Sequence, residues 1–142
     1  MTRLFLFLLT LLFSLSGPAM EENGDFGRSF FAAKSVKLGG AFESRGGLLR
    51  MGAYDTETGT LGLGKGGHFD GASEAGMSGI SPATHRGITM FEKDGKVFWA
   101  NDSMSLNKAV TEAEANAIQK SLEIQFGNQT VIRLRQIGDA FK

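Results

Sequence analysis

The residues richest in potential chemistry are the chain's two histidines. His68 stands two residues before Asp70 in His68-Phe69-Asp70, and His85 follows at the far end of a glycine-rich stretch. Two imidazoles and a carboxylate are suitable transition-metal ligands, and an imidazole with a carboxylate partner can act as a general base. His68, Asp70 and His85 are therefore the candidate binding residues. Their spacing matches no metal motif, so the sequence leaves any metal ligand set and any catalytic residue open and assigns no cofactor.

Three further patterns resemble reactive motifs and fail on context. Gly76-Met77-Ser78-Gly79 has part of a nucleophile turn, but Ile80 stands where the last glycine of Gly-x-Ser-x-Gly belongs. No hydrophobic strand runs into Ser78 and no helical pattern runs out of it. Gly59 to Lys65 has phosphate-loop spacing, yet Gly66 occupies the position of the magnesium-binding hydroxyl. Gly62-Leu63-Gly64-Lys65-Gly66-Gly67 fits Gly-x-Gly-x-x-Gly, but neither stretch follows a convincing buried strand or opens a helical pattern. Both read as by-products of glycine abundance. Leu61 and Leu63 alternating with Gly62 and Gly64 instead predict a strand with one bare face for close packing. Tyr54, Phe98 and Trp99 could form an aromatic platform, but are expected in the core or at its margin.

The elements that would position these groups are clearest in the C-terminal part. Ile88 to Glu92 and Val97 to Asn101 are β-rich runs joined through Lys93-Asp94-Gly95-Lys96, and Asp-Gly supplies the positive φ angles of a two-residue hairpin turn. That turn pairs Phe91 with Phe98 on one face and Met90 with Trp99 on the other, so the hairpin should be covered on both sides, with a helix over one. Thr111-Glu112-Ala113-Glu114 has capping-box spacing. Ala115, Ile118, Leu122 and Phe126 form an apolar stripe ending at Gly127, an expected C-cap, which predicts a helix over 111–126. Thr130 to Ile137 reads as a strand with Ile132 and Leu134 on one side and Arg133 and Arg135 on the wet side.

Of the 20 glycines, 14 lie between Gly39 and Gly87. Within that region Leu48–Tyr54 and Thr60–Leu63 predict a hairpin around residues 55–59, and the remainder reads as loop. Residues 68–81 in particular offer little apolar surface beyond Phe69, Met77 and Ile80. Residues 28–38 fit a strand or a short helix equally well. The expected fold is a small single α+β domain: an antiparallel or mixed sheet, one C-terminal helix packed on it, and a glycine-rich loop region. Residues 39–87 are the glycine-rich part and 88–137 the hairpin, helix and strand core.

The start of the chain bounds location. Arg3 precedes an apolar run from Leu4 to Leu15, then Gly17, Pro18 and Ala19, which predicts a signal peptide over 1–19 cleaved before Met20. The run is shorter than the roughly 20 residues of a spanning helix, so no membrane anchor is expected after cleavage. Without cysteine, the domain cannot use disulfides and must rely on its core, which tilts the expectation to a periplasmic or extracellular protein. With Arg3 removed, 14 basic residues face 15 acidic ones, and no basic tract suits nucleic acid.

With no motif surviving its context, the expected function is a small exported binding or accessory protein of the periplasm or envelope, non-catalytic, whose partner is another protein or a small ligand. Two alternatives belong to other classes. One is an exported hydrolase using His68, Asp70 and His85, with or without a metal; the other is an inhibitor or effector presenting the glycine-rich loop to a partner protein.

Overall fold

The structure, a computed structural model, describes residues 34–142. The expected signal peptide and the lead-in to residue 33 lie outside the described residues. The chain forms β1 (Ser35–Leu38), β2 (Phe42–Ser44), β3 (Gly47–Asp55), β4 (Thr60–Gly64), α1 (His68–Glu74), β5 (His85–Lys93), β6 (Lys96–Ala100), α2 (Glu112–Gln125), β7 (Thr130–Arg133) and a 3-10 turn at Ile137–Phe141. The strands make one mixed sheet, a half-barrel in the order β1-β4-β3-β5-β6-β7, with β2 pairing the start of β3. The result is a small α+β domain with two α-helices.

Local chemistry explains several elements. Asp94 and Gly95 both have positive φ, 53° and 77°, as a tight hairpin turn between right-twisted strands demands. The register that follows pairs Met90 with Trp99 and Phe91 with Phe98. At α2 the Thr111 hydroxyl accepts from the Glu114 amide at 3.1 Å, and the Glu114 carboxylate accepts from the Thr111 amide at 3.0 Å. Replacing Thr111 with alanine should remove about 1 kcal/mol of stability, read as a lower urea midpoint at unchanged slope. The helix ends differently from expectation. Phe126, with φ −116°, is the C-cap, and Gly127 does not take the left-handed conformation that would have made it one.

Alternation divides the sheet into two faces. On one, Tyr54, Leu61, Leu63, Ile88, Met90, Val97 and Trp99 pack under Ala115, Ile118 and Leu122 of α2. Tyr54 and Trp99 are therefore core residues. Burial, with Glu114 and Asp55 adding to it, pushes the Tyr54 phenol up to about 12. The Trp99 Nε1–H donates to Gln119 Oε1 at 2.7 Å, and Gln119 in turn donates to the Val131 carbonyl, tying α2 to the sheet margin. On the opposite face Phe91 meets Phe141 edge-on at 4.8 Å and lies 6.4 Å from Phe98.

The region expected as loop is the largest departure. Residues 68–74 form α1, a second helix, across the bare face of β4. A Cβ at Gly62 would lie 2.4 Å from Met77 Sδ, one at Gly64 2.6 Å from the Gly71 carbonyl oxygen, and one at Gly71 1.8 Å from that of Met51. The glycines are there to let a helix backbone touch a sheet backbone. Packing creates α1 rather than propensity, since two turns alone would not persist in water. Its stop signal is nonetheless local: Gly76 has φ +93°, its amide donates to the Ser73 carbonyl, and the Met77 amide donates to that of Ala72, a Schellman closure.

β7 is shorter than the expected strand. Its parallel pairing with β6 stops at Trp99 opposite Arg133, and Asp102 Oδ2 accepts the Ile137 amide at 2.9 Å to start the 3-10 turn. Ile132 sits opposite Phe98, away from α2, whereas Val131 packs into the α2 core. Arg133 lies over the Trp99 ring at 5.5 Å and reaches Glu112 at 3.5 Å.

Candidate functional site

The residues that could do chemistry are spread along one sheet face by the register of β3 on β5. That register sets Asp55 opposite His85 at one end and Met51 opposite Thr89 further along. His85 and Thr89 are four residues apart on β5, about 13 Å along the strand at about 3.3 Å per residue.

His85 lies at the first of these positions. Only 2% exposed, its Nδ1 accepts from the Ser81 amide at 3.3 Å and contacts the Thr84 hydroxyl at 2.8 Å. An amide can only donate, so Nδ1 is the acceptor and Nε2 carries the proton. Nε2 is buried without a hydrogen bond and stands 3.6 Å from Asp55 Oδ2. The Asp55 carboxylate meanwhile caps the β3–β4 turn by accepting from the Glu57 and Thr58 amides. His85 thus fastens the 81–84 turn onto the sheet.

His68, the first residue of α1, is at the second position. Its Nε2 is 3.0 Å from the Thr89 hydroxyl, which is 3.1 Å from the Asp102 carbonyl. A carbonyl only accepts, so the hydroxyl's one proton goes to Asp102 and His68 donates Nε2–H to Thr89. This tautomer leaves Nδ1 to meet a ligand. Burial holds the His68 imidazole below its usual range, outweighing the raising effect of the nearby Asp102 carbonyl and carboxylate.

Asp70 joins neither histidine. It is exposed on α1, beside Gly66. The candidate trio is therefore not one site: His68 and His85 contact different residues at separated points on β5, and Asp70 faces solvent. Among the described residues no group of three or more histidine, aspartate or glutamate side chains is placed to hold a metal.

The phosphate-loop lookalike requires a correction as well. Gly62 to Gly67 does leave a buried strand, β4, and does enter a helix, α1. The loop is already occupied by an acid, however. Glu74 accepts the Lys65 amide at 2.6 Å and also the Gly40 amide, which hold its carboxyl below the usual carboxylate range. A phosphate would meet that negative charge instead of free amides. Ser78 is exposed in the turn after α1.

The structure adds a cleft of about 440 Å³ at Thr89, between α1, the β3–β5 surface and the loop after β6. His68, Thr89 and Met51 line it together with the apolar Leu49 and Ile137. Ser103, Met104 and Ser105 of the loop after β6 also line it, and Met104 is 95% exposed. This loop is well anchored: Asn101 Nδ2 donates to the Gly87 carbonyl, Asn101 Oδ1 accepts the Val110 amide, and Ser103 Oγ accepts the Leu106 amide. A larger cavity of about 610 Å³, lined mostly by polar and charged residues, lies between the hairpin turns at 43–48 and 92–95, and one of about 360 Å³ with mixed lining lies beside Arg133 and Arg135.

Comparison with protein-family models, with curated proteins and with solved structures returned no match for this chain.

The state of His68 has a measurable consequence. Its folded pKa is lowered from 6.5, so the unfolded chain binds the proton more readily and folding loses stability as pH falls. Its contribution is fully present above pH 6.5 and declines from there towards the folded value. Urea midpoints between pH 7.5 and 5, compared for the wild type and His68→Gln, should show a steeper acid loss in the wild type; parallel curves would contradict the lowered imidazole pKa.

Proposed function

We propose that this chain is a small exported binding protein of the periplasm or envelope, non-catalytic, that takes a small ligand in the cleft around Thr89. The observation that carries this reading is the fixed His68 imidazole, with one nitrogen committed to Thr89 and the other available, inside an open cleft of mixed apolar and hydroxyl character. Concave sites with a few placed polar groups in apolar walls are the usual form of small-molecule recognition. Export is supported by the charge, apolar run and small-residue order of residues 1–19 and by the absence of cysteine. The alternative hydrolase would need His68, Asp70 and His85 in reach of one another, and their positions give it no support. The glycine-rich region is largely committed to β2, β3, β4 and α1, and nothing in it favours insertion into a partner.

The test is a methyl and amide NMR titration of isotope-labelled protein, recovered after expressing the full chain, with the low-molecular-weight fraction of an envelope extract. Signals from Met51, His68, Thr89 and Met104 should move together. A response confined to the turns at 43–48 and 92–95, or no response, would refute the cleft as the binding site.

A further inference from the structure

We propose that the cleft is a soft-metal site, in which copper(I) is held by the imidazole of His68 and the thioether sulfurs of Met51 and Met104. The inference rests on the cleft being a ligand site, as argued above, and names the ligand's chemical class.

The three donors come from three parts of the chain and gather around Thr89. Met51 is the cross-strand neighbour of Thr89 on β3, and His68 hydrogen-bonds the Thr89 hydroxyl from α1. Met104 lies two residues beyond Asp102, whose carbonyl takes that hydroxyl's proton. All three residues line the same cleft. Thioether and imidazole together suit copper(I), whereas zinc, calcium and magnesium prefer thiolate, imidazole or oxygen sets. The one carboxylate of the cleft, Asp102, has Oδ2 committed to the Ile137 amide, so the walls offer a hard cation little.

Two features are difficult to explain by packing alone. Of the four methionines among the described residues, Met90 is fully buried and Met77 packs against Gly62 on the sheet, as core-filling methionines do. Met104 instead stands 95% exposed, where it packs no core. The second feature is the arrangement of His68: a metal-binding imidazole typically donates its other N–H to an oxygen, which fixes the ring and its tautomer, and Thr89 receives that proton here. In an oxidising compartment, thioethers also bind copper(I) without the competing disulfide formation that thiols undergo.

The test uses protein from the full chain and silver(I) nitrate in chloride-free buffer as a redox-inert probe, followed by anaerobic copper(I) competition against a chromogenic chelator. Silver(I) should shift the ε-methyl signals of Met51 and Met104 and the ring signals of His68, leaving Met77 and Met90 in place, and zinc(II) should not reproduce the pattern. The Met51→Leu/Met104→Leu variant keeps side-chain volume and should fold with an unchanged thermal midpoint while losing competition for copper(I). Equal competition by that variant, or silver(I) shifts absent from the cleft, would overturn the proposal. If silver(I) fails while the envelope fraction still moves the cleft signals, the metal alone is refuted; if both fail, the cleft reading falls with it.

Discussion

Replacing Gly71 with alanine should destabilise the protein by ~3 kcal/mol or more, although the same change in an exposed helix interior ordinarily stabilises by about 0.5–1 kcal/mol. The sign is reversed by contact: the new Cβ would sit 1.8 Å from the Met51 carbonyl oxygen and 3.0 Å from that of Gly64. Both neighbours are strand backbone, so neither can rotate aside, and α1 would have to lift from β3 and β4. Gly138→Ala is the matched control, because its Cβ meets nothing within 4 Å and its φ is not positive, and it should change stability by no more than about 0.5 kcal/mol. Urea unfolding of the two variants measures the difference. A stabilised Gly71→Ala would mean that α1 does not touch the sheet in this way, and the position of His68 would have to be reconsidered with it.

Trp99→Ala should cost about 3–5 kcal/mol, the range for deleting a large aromatic side chain from a closed core. Trp99 is fully buried beneath α2, and its removal also leaves Gln119 Oε1 without the indole proton it accepts at 2.7 Å. Domains of this size are stable by roughly 5–15 kcal/mol, so the variant should be marginal at 25 °C and show a clearly lower urea midpoint. Trp99→Phe separates the two contributions, keeping a ring but leaving the glutamine oxygen unpaired, and should fall between wild type and Trp99→Ala. Because the cleft occupies the other face of the sheet, the folded fraction of Trp99→Phe should give the same cleft signals on titration with silver(I) as the wild type does, if the proposed site is real. A loss of binding without a loss of fold would contradict the separation of the two faces.

Much of the architecture could be read locally. Asp94-Gly95 specifies a turn with two positive φ angles, and the turn alone sets Phe91 opposite Phe98 and Met90 opposite Trp99. Thr111 and Glu114 are three residues apart and satisfy each other's amides without help from the rest of the chain. Leu61 and Leu63 alternating with Gly62 and Gly64 identified a strand with one bare face, although not what would lie on it. α1 was missed because its apolar content is slight and its stability comes from the sheet. Its one local signal was Gly76 followed by Met77, the Schellman pair.

The candidate site was far less legible. His68 and His85 were prominent because histidine is scarce here, and proximity in sequence brought Asp70 into the same reading. Met51 and Met104 carried no comparable signal, since a methionine in sequence looks the same whether it fills a core or lines a cleft.

The sequence by itself therefore determined the turns, the helix cap and the strand periodicities, because each depends on groups within a few residues of one another. Only the tertiary structure decided that His68 meets Thr89 and that His85 is fastened elsewhere with Asp55. Those outcomes follow from the register of β3 on β5, which joins Met51 to Thr89 and Asp55 to His85 across long separations. That register is settled by burial on both faces of the sheet at once, and no short window of sequence contains it.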